Sequence, residues 1–374
     1  MRLLNDKMKK ITKLAVDAKN LCGPITGISR YLHKSLLYLS ESDVRIIIIV
    51  PSKINPEFRL PQNIEIIYCN SKNKICWHFW DLAKTVNELE PNFYWGPAHR
   101  IPIGINKNIV TVVTCHDLVC FKFPRTMKFP YMIRDRLLLW NAFSRAQLIH
   151  AVSNTTLNDI INIFPNLAEK SFSTLPHDPL KIRPKTSNLA VQKNSNYGLF
   201  VGTFEPRKNL ERLVEAFRRY SDTTGSSGRL VLAGTNGWKM NGFEKLIGKL
   251  QNNGLRVEVI NSPTDSQLFN LYENARFLIM PSIYEGLGLP VIEAKSHGLP
   301  CIVSNIGSLP EVADGMARQV NPYSISEIEL ALKTFFEDGN EFQHSVEDAR
   351  NSAPKFDWRL NTEIFLSRVK SISF

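Results

Sequence analysis

Apolar residues in this chain fall into short unbroken runs separated by amphipathic stretches. Arg45–Val50, Ile109–Thr114, Leu148–Val152, Tyr197–Val201, Arg229–Ala233, Val257–Ile260, Ala275–Met280 and Cys301–Ser304 are such runs. Lacking polar alternation, they read as parallel strands buried on both faces, to which Lys13–Ala18 and Glu65–Tyr68 are added. Between them the period changes. Leu210, Leu213, Val214 and Phe217 fall at i, i+3, i+4 and i+7, and Phe79–Leu89, Asp265–Asn274 and Trp358–Val369 carry similar helical spacing. Strands alternating with helices predict an α/β protein of doubly wound sheets. The 374 residues suffice for two domains, and the Pro-, Lys-, Asn- and Ser-rich tract Pro176–Asn196 reads as their linker. We therefore divide the chain into a first domain, 1–187, a second, 188–355, and a C-terminal helical segment, 356–374.

Composition narrows this picture. With 43% hydrophobic and 22% charged residues the chain reads as an ordinary globular protein. Its six cysteines form no C-x-x-C pair, so reduced thiols in a cytoplasmic protein are expected. No signal-peptide core is recognised near the start, where Asp17 and Lys19 interrupt the apolar residues. The net charge of +11 is uneven: residues 1–187 hold 26 Lys+Arg against 14 Asp+Glu, and the remainder holds 20 against 21. Such a basic half could meet nucleic acid or the anionic inner face of a membrane, or be solvated surface.

The most informative stretch is Pro281-Ser-Ile-Tyr-Glu-Gly-Leu-Gly-Leu-Pro-Val-Ile-Glu293. A buried strand enters it and a helical pattern leaves it, with a proline suited to the first helical position. A glycine loop there presents the N–H groups of Gly286, Leu287, Gly288 and Leu289 at the positive end of a helix, a site for a phosphate. Glu285 precedes the loop, and Glu293 is expected in the first turn of the helix. Carboxylates repel phosphate but accept hydrogen bonds from sugar hydroxyls, so the pair suggests a nucleotide-sugar. The plainer reading is a structural turn in which Glu293 only complements the helix dipole.

A second anion signal follows the strand Tyr197–Val201, in Gly202-Thr-Phe-Glu-Pro-Arg-Lys-Asn209. Pro206 at the first helical position would put Arg207 and Lys208 in the first turn, where cations cost about 0.3–1 kcal/mol. A bound diphosphate would offset that cost. At the other end of the chain, Gly23-Pro-Ile-Thr-Gly-Ile-Ser-Arg-Tyr31 joins a first strand to a first helix, where α/β domains meet phosphate. Here Ser29 narrows the approach, and Gly27 is the residue that would touch the ligand. His116, in Thr114-Cys-His-Asp-Leu118, sits at a central strand's carboxyl end, a place that suits either a structural role or the ligand crevice. Phe121–Arg136 mixes four aromatic residues with Lys122, Arg125, Lys128, Arg134 and Arg136, which suits a membrane interface, RNA stacking or ordinary packing.

Taken together, the Pro281–Glu293 segment resembles the donor-site signature of glycosyltransferase family 4. Thr-x-His-Asp-Leu at 114–118, the Gly202–Asn209 loop and Gly307-Ser-Leu-Pro-Glu-Val312 resemble other segments of that family in the same order. The resemblance implies a GT-B fold, two Rossmann-like domains facing across a cleft, with retention of anomeric configuration and no required metal or other cofactor. It implies that Arg207, Lys208 and the Gly286–Leu289 amides hold the donor diphosphate, that Glu285 contacts the transferred sugar, that Glu293 meets the ribose hydroxyls, and that His116 lies beside the reacting centre. The last helix would cross back onto the first domain, and Glu311 would cap or orient its own loop. Many family members carry Gly-Arg where this chain has Gly202-Thr203, so one arginine is missing and Arg207 would take its place. The wording around Gly202–Asn209 is similar to bacterial surface-polysaccharide mannosyltransferases, which implies GDP-mannose as donor, with a UDP-sugar second. A lipid-linked or growing glycan is the implied acceptor, and an anionic membrane surface would suit the basic half. A nucleotide-sugar epimerase and a nucleic-acid-binding protein are the rivals; the second leaves both glutamates unexplained.

Overall fold

The computed structural model describes residues 12–69, 77–175, 196–225, 227–240, 242–313, 317–337, 339–351 and 357–372. The expected linker, with the boundary at 187/188, lies outside them except for Asn196.

Two parallel sheets organise these residues. The first contains β1 (Lys13–Asp17), β2 (Arg45–Val50), β3 (Glu65–Tyr68), β4 (Phe93–Gly96), β5 (Val110–Cys115), β6 (Leu148–Ala151) and β7 (Ser171–Ser173) in the order β3-β2-β1-β4-β5-β6-β7. The second contains β8 (Tyr197–Val201), β9 (Arg229–Gly234), β10 (Val257–Asn261), β11 (Phe277–Met280), β12 (Cys301–Ser304) and β13 (Ala317–Val320) in the order β10-β9-β8-β11-β12-β13. Each order reverses beside its first strand, between β1 and β4 and between β8 and β11, and opens a crevice at the strands' carboxyl ends. Both domains are Rossmann-like, and the carboxyl ends of the two sheets face one cleft.

The unbroken apolar runs form central strands: all four isoleucines of β2 and the whole of β11 are buried. The pattern passes over β4, β7 and β13. Three aromatic residues and a glycine make β4, and Phe93, Tyr94 and Trp95 pair in register with both β1 and β5. So short an aromatic run carries no period of its own. Tertiary pairing makes it a strand.

The helix Trp358–Lys370 lies on the first domain, against the helix Gly27–Leu39. Its Trp358 ring is 5.6 Å from Tyr31, and Phe365 is 5.0 Å from Trp95. Asn361 accepts a 2.6 Å hydrogen bond from Thr174. Burial of Phe365 alone contributes about 1.5–3 kcal/mol to this crossing.

Polar contacts also close the domains on one another. The Glu311 carboxylate accepts the N–H of Asn154 and Thr155 at 3.1 and 2.9 Å, capping the first domain's helix Asn154–Ile163 from across the boundary. Its role is therefore wider than orienting its own loop. Thr155 and Thr156 donate to the carbonyls of Gly307 and Gly286. The turn after β9, which the sequence marks only as a turn, sends Trp238 Nε1 to the Thr126 carbonyl at 2.8 Å.

Candidate active site

A cleft of about 500 Å³ lies between the two sheets. The sequence-selected residues His116, Arg207, Lys208, Glu285, Glu293 and Gly27 all line it, as does the loop Gly286–Leu289.

The loop is positioned by β11 and by two glycines. Gly288 has φ +86°, a left-handed conformation, and a Cβ there would lie 2.5 Å from Leu309 Cδ2. A Cβ on Gly286 would come within 1.6 Å of the His116 carbonyl oxygen. Glycine is thus what lets the second domain's loop touch the histidine loop of the first. The helix that follows spans Leu289–Ser296, so Pro290 is its second residue and Glu293 lies in its second turn. Both were expected one step earlier. The helix starts one residue sooner than expected, at Leu289, directly after the αL Gly288 that serves as its N-cap. Glu293 Oε2 accepts the Tyr272 hydroxyl at 2.7 Å, and burial pushes its carboxyl above the ordinary range against the opposing effect of that bond.

Glu285 anchors the cleft floor. It is 5% exposed; its Oε1 lies 2.5 Å from Lys208 Nζ and its Oε2 2.8 Å from Arg207 Nη1. Burial alone would raise its carboxyl, but Lys208 and Arg207 overcome this and hold it at about 2. Arg207 also pairs with Glu205 Oε1 at 2.6 Å. Burial raises the Glu205 carboxyl, and the two cations oppose that.

This changes the expected account of the cations. Pro206–Lys208 is a single 3₁₀ turn, Asn209 follows at φ +64°, and the α-helix begins only at Leu210. Arg207 and Lys208 therefore lie outside the helix's first turn, and no dipole penalty needs a ligand to offset it. Their charge is met by Glu285 and Glu205. Asn209 holds the turn by donating to the carbonyls of Pro281 and Pro322, at 2.9 and 2.6 Å. The sequence reading passed over Glu205, whose signal was its being the one acidic residue of the Gly202–Asn209 loop.

Gly27 begins the helix Gly27–Leu39, whose N-cap is Thr26. Ser29 was expected to narrow the ligand's approach. Instead it is fully buried, and its Oγ accepts the Thr26 N–H at 2.7 Å in a capping box. The box does not use the N–H groups of Gly27 and Ile28. A Cβ on Gly27 would meet only Leu289 Cδ1, at 3.8 Å, so the tight approach at this loop is left to a ligand.

His116 follows β5. Its Nε2 donates to the Pro97 carbonyl at 2.7 Å, and its own N–H donates to His99 Nε2 at 2.5 Å. Burial lowers the His116 pKa, partly countered by the Pro97 carbonyl and Asp117, so the ring is neutral with Nδ1 as acceptor. Tyr31 meets it edge-on at 5.0 Å. Two further residues escaped the sequence reading. Tyr284 donates to Asp159 at 2.8 Å and accepts the Leu118 N–H, joining the loop before Glu285 to the loop after His116. Arg30 forms an ion pair with Asp265 across the cleft mouth. Both lie inside segments singled out for other residues, but each acts through a partner more than a hundred residues away. Among the described residues no group of three His, Cys, Asp or Glu could hold a metal ion.

Residues 182–352 match the family model described as "Glycosyl transferases group 1". The chain is 28% identical over 291 residues to O-antigen chain mannosyltransferase B of Escherichia coli, covering 74% of this chain and 73% of that one. It is 26% identical over 287 residues to serotype-specific mannosyltransferase WbdA of Escherichia coli, but that match spans only 34% of the relative's length. Its fold resembles sucrose-phosphate synthase from Thermosynechococcus elongatus, with a TM-score of 0.72 at 16% identity over 96% of this chain and 99% of that one. With a two-sheet cleft, a glycine loop bracketed by Glu285 and Glu293, and relatives that are mannosyltransferases, the chain is a glycosyltransferase of GT-B architecture whose second domain matches the group 1 model.

Proposed function

We propose that the protein transfers mannose from GDP-mannose, with retention of configuration, to a lipid-linked or growing polysaccharide of the O-antigen or capsule type. Similarity to O-antigen mannosyltransferases supports the sugar and the class of product. One observation carries the mechanism: Glu285 occupies both diphosphate-binding cations, Arg207 and Lys208, on the cleft floor.

A donor diphosphate entering between these cations and the Gly286–Leu289 amides competes with the Glu285 carboxylate. Arg207 and Lys208 then neutralise the negative charge that grows on the departing nucleotide, where preorganised cations act most strongly. Glu285, freed from the pair, accepts from hydroxyls of the transferred sugar. Glu293 accepts from the ribose hydroxyls. The neutral His116 ring, fixed by Pro97, offers Nδ1 as a hydrogen-bond acceptor beside the reacting centre. The chain's own cations perform the work that a metal performs elsewhere, so transfer proceeds without a divalent ion or other cofactor. The basic first domain suits a protein working at the anionic cytoplasmic face of a membrane, and no described helix is long and apolar enough to cross one.

The test is a thermal-shift panel with GDP, UDP, ADP, GDP-mannose and UDP-sugars in the presence of a chelator. Ligand at about 100 times its dissociation constant should add roughly 2.7 kcal/mol to the folded state, a shift of several degrees. A guanine-selective response is expected. Selective response to uridine would replace the donor with a UDP-sugar and keep the site. Failure of every nucleotide would overturn the site. An NMR spectrum of the product tests retention through its anomeric coupling.

A further inference from the structure

Tyr284 belongs to the second domain, but its side chain lies in the first. It stands in the loop after β11, immediately before Glu285, and is buried. Its hydroxyl donates to Asp159 Oδ2 at 2.8 Å and accepts the Leu118 N–H at 3.2 Å. The Phe123 ring packs against it with centroids 5.1 Å apart, and the Lys122 ammonium stands 5.9 Å from its centre. Lys122 also pairs with Asp159 Oδ1 at 2.5 Å, so both oxygens of that buried carboxylate are taken. Burial raises the phenol's pKa, and the Asp117 and Asp159 carboxylates raise it further, so the hydroxyl keeps its proton and its direction toward Asp159.

The backbone of the same loop serves the cations of the cleft. The Tyr284 carbonyl accepts Arg207 Nη1 at 2.9 Å, and the Ile283 N–H donates to the Arg207 carbonyl at 2.7 Å. Glu285, the next residue, holds Arg207 and Lys208. On the other side of the domain boundary, Leu118 is two positions after His116, and Asp159 lies on the helix that Glu311 caps. One residue therefore carries two reference points: its backbone meets the cations, and its hydroxyl meets the loop that bears His116.

Filling the socket does not require a hydroxyl. Phenylalanine would occupy the space between Phe123 and Lys122 without placing a polar group in the interior, where an unpaired hydroxyl is costly. The Tyr284 hydroxyl is paired on its donor side to a carboxylate and on its acceptor side to a backbone amide, both in the other domain. Such bonds fix distance and direction between two loops, which ring packing alone leaves free to slide. Tyr284 does not line the cleft, so its effect on transfer passes through its neighbours.

Resting on the transferase reading above, we propose that Tyr284 is a positioning residue: its hydroxyl, held by Asp159 and the Leu118 amide, sets Arg207, Lys208 and Glu285 in register with His116. Nucleotide binding draws mainly on groups of the second domain and does not need that register. Transfer does, because reacting groups misplaced by about 1 Å cost about 10²-fold.

The test compares the wild-type protein with Tyr284→Phe, Asp159→Ala and the double variant, each checked for folding by circular dichroism. Lys122, which loses its partner in Asp159→Ala, is 39% exposed and can meet water. Hydrogen exchange, read without nucleotide, should be at least tenfold faster at the Leu118 amide in Tyr284→Phe. Turnover is read as nucleoside diphosphate released from the nucleotide-sugar with water as acceptor. The kcat of Tyr284→Phe should fall by about ten- to a hundredfold. Its KM for the nucleotide-sugar and its calorimetric Kd for the nucleoside diphosphate should stay within about twofold of wild type, a split that general loosening of the fold would not produce. The double variant should be no slower than Tyr284→Phe, because both substitutions break one bond. Unchanged exchange at Leu118, an undiminished kcat in Tyr284→Phe, an equal loss of nucleotide affinity, or losses that multiply in the double variant would each overturn the proposal. Exchange is read without donor, so a wild-type protein that binds no nucleotide counts against the donor reading, whereas unchanged exchange counts against Tyr284.

Discussion

Lys208 Nζ and Glu285 Oε1 lie 2.5 Å apart with both residues almost fully buried, 6% and 5% exposed. The pair ties the Gly202–Asn209 turn to the loop that follows β11. Such a buried pair is costly to break from one side, because the remaining charge stays desolvated. Arg207 remains on Glu285 when Lys208 is removed, so Lys208→Ala should destabilise the protein without unfolding it. Charged hydrogen bonds contribute about 1.5–3 kcal/mol, so donor dissociation should weaken by roughly ten- to a hundredfold. Calorimetric titration with the nucleoside diphosphate reads this directly, and unchanged affinity would remove Lys208 from the diphosphate site.

Glu285→Gln separates the two roles of that carboxylate. If Glu285 competes with the diphosphate for Arg207 and Lys208, removing its charge leaves both cations free, and the nucleoside diphosphate should bind more tightly than to the unmodified enzyme. Transfer should nonetheless fall by about 10²–10³, as when a single electrostatic group is lost from an active site. Tighter product with slower turnover is the signature. Weaker nucleotide binding would show that the carboxylate supports the diphosphate instead of opposing it.

Acid stability has a calculable sign. Burial holds His99 at about 4 and His150 at about 3, with His116 lowering both further; the two are neutral in the fold, His150 bonded to Thr114 and Thr174. Their unfolded value is about 6.5, so below it the unfolded chain takes up protons that the folded one refuses. The stability they contribute is complete above pH 6.5 and falls by about 1.4 kcal/mol per pH unit for each histidine down to its folded value. Glu285, held at about 2, contributes stability present above an unfolded pKa of about 4.3 and lost as pH falls toward 2. Urea midpoints should therefore begin to fall below pH 6.5, well above the carboxylate range. A midpoint flat from pH 7 to 5 would contradict the buried neutral histidines.

How far the sequence carries this picture depends on the range of each interaction. Unbroken runs such as Arg45–Val50 announce central strands because burial on both faces is written in consecutive residues. The Pro281–Glu293 loop reads as a strand-to-helix turn lining the cleft because its glycines and carboxylates are adjacent in sequence. What the sequence cannot show is pairing at a distance. Phe93–Gly96 is a strand only because β1 and β5 flank it. Arg207 and Lys208 were legible as cleft cations, but their partner Glu285 lies 78 and 77 positions away. The capping box between Ser29 and Thr26 went unread, because Ser29 drew notice only as the residue standing where a second glycine would. Glu311 looked like a local cap and instead caps a helix 156 residues earlier.

Closure of the cleft depends on the glycine at 286. Its Cα lies so near the His116 carbonyl that a methyl group would sit 1.6 Å from that oxygen, and Thr156 Oγ1 donates to the Gly286 carbonyl at 3.2 Å on the same side. Neither partner is a flexible side-chain end: one is backbone, and the other belongs to the helix that Glu311 caps. Gly286→Ala must therefore push the domains apart or displace the loop. Each domain keeps its own sheet and core, so the variant should fold. Small-angle scattering should show a larger radius of gyration, and transfer should fall by about 10²-fold, the cost of misplacing reacting groups by about 1 Å. Nucleotide binding, which relies mainly on the second domain, should weaken much less than transfer. A variant with unchanged scattering and full activity would show that the contact between Gly286 and His116 is not what aligns the donor with the reacting centre.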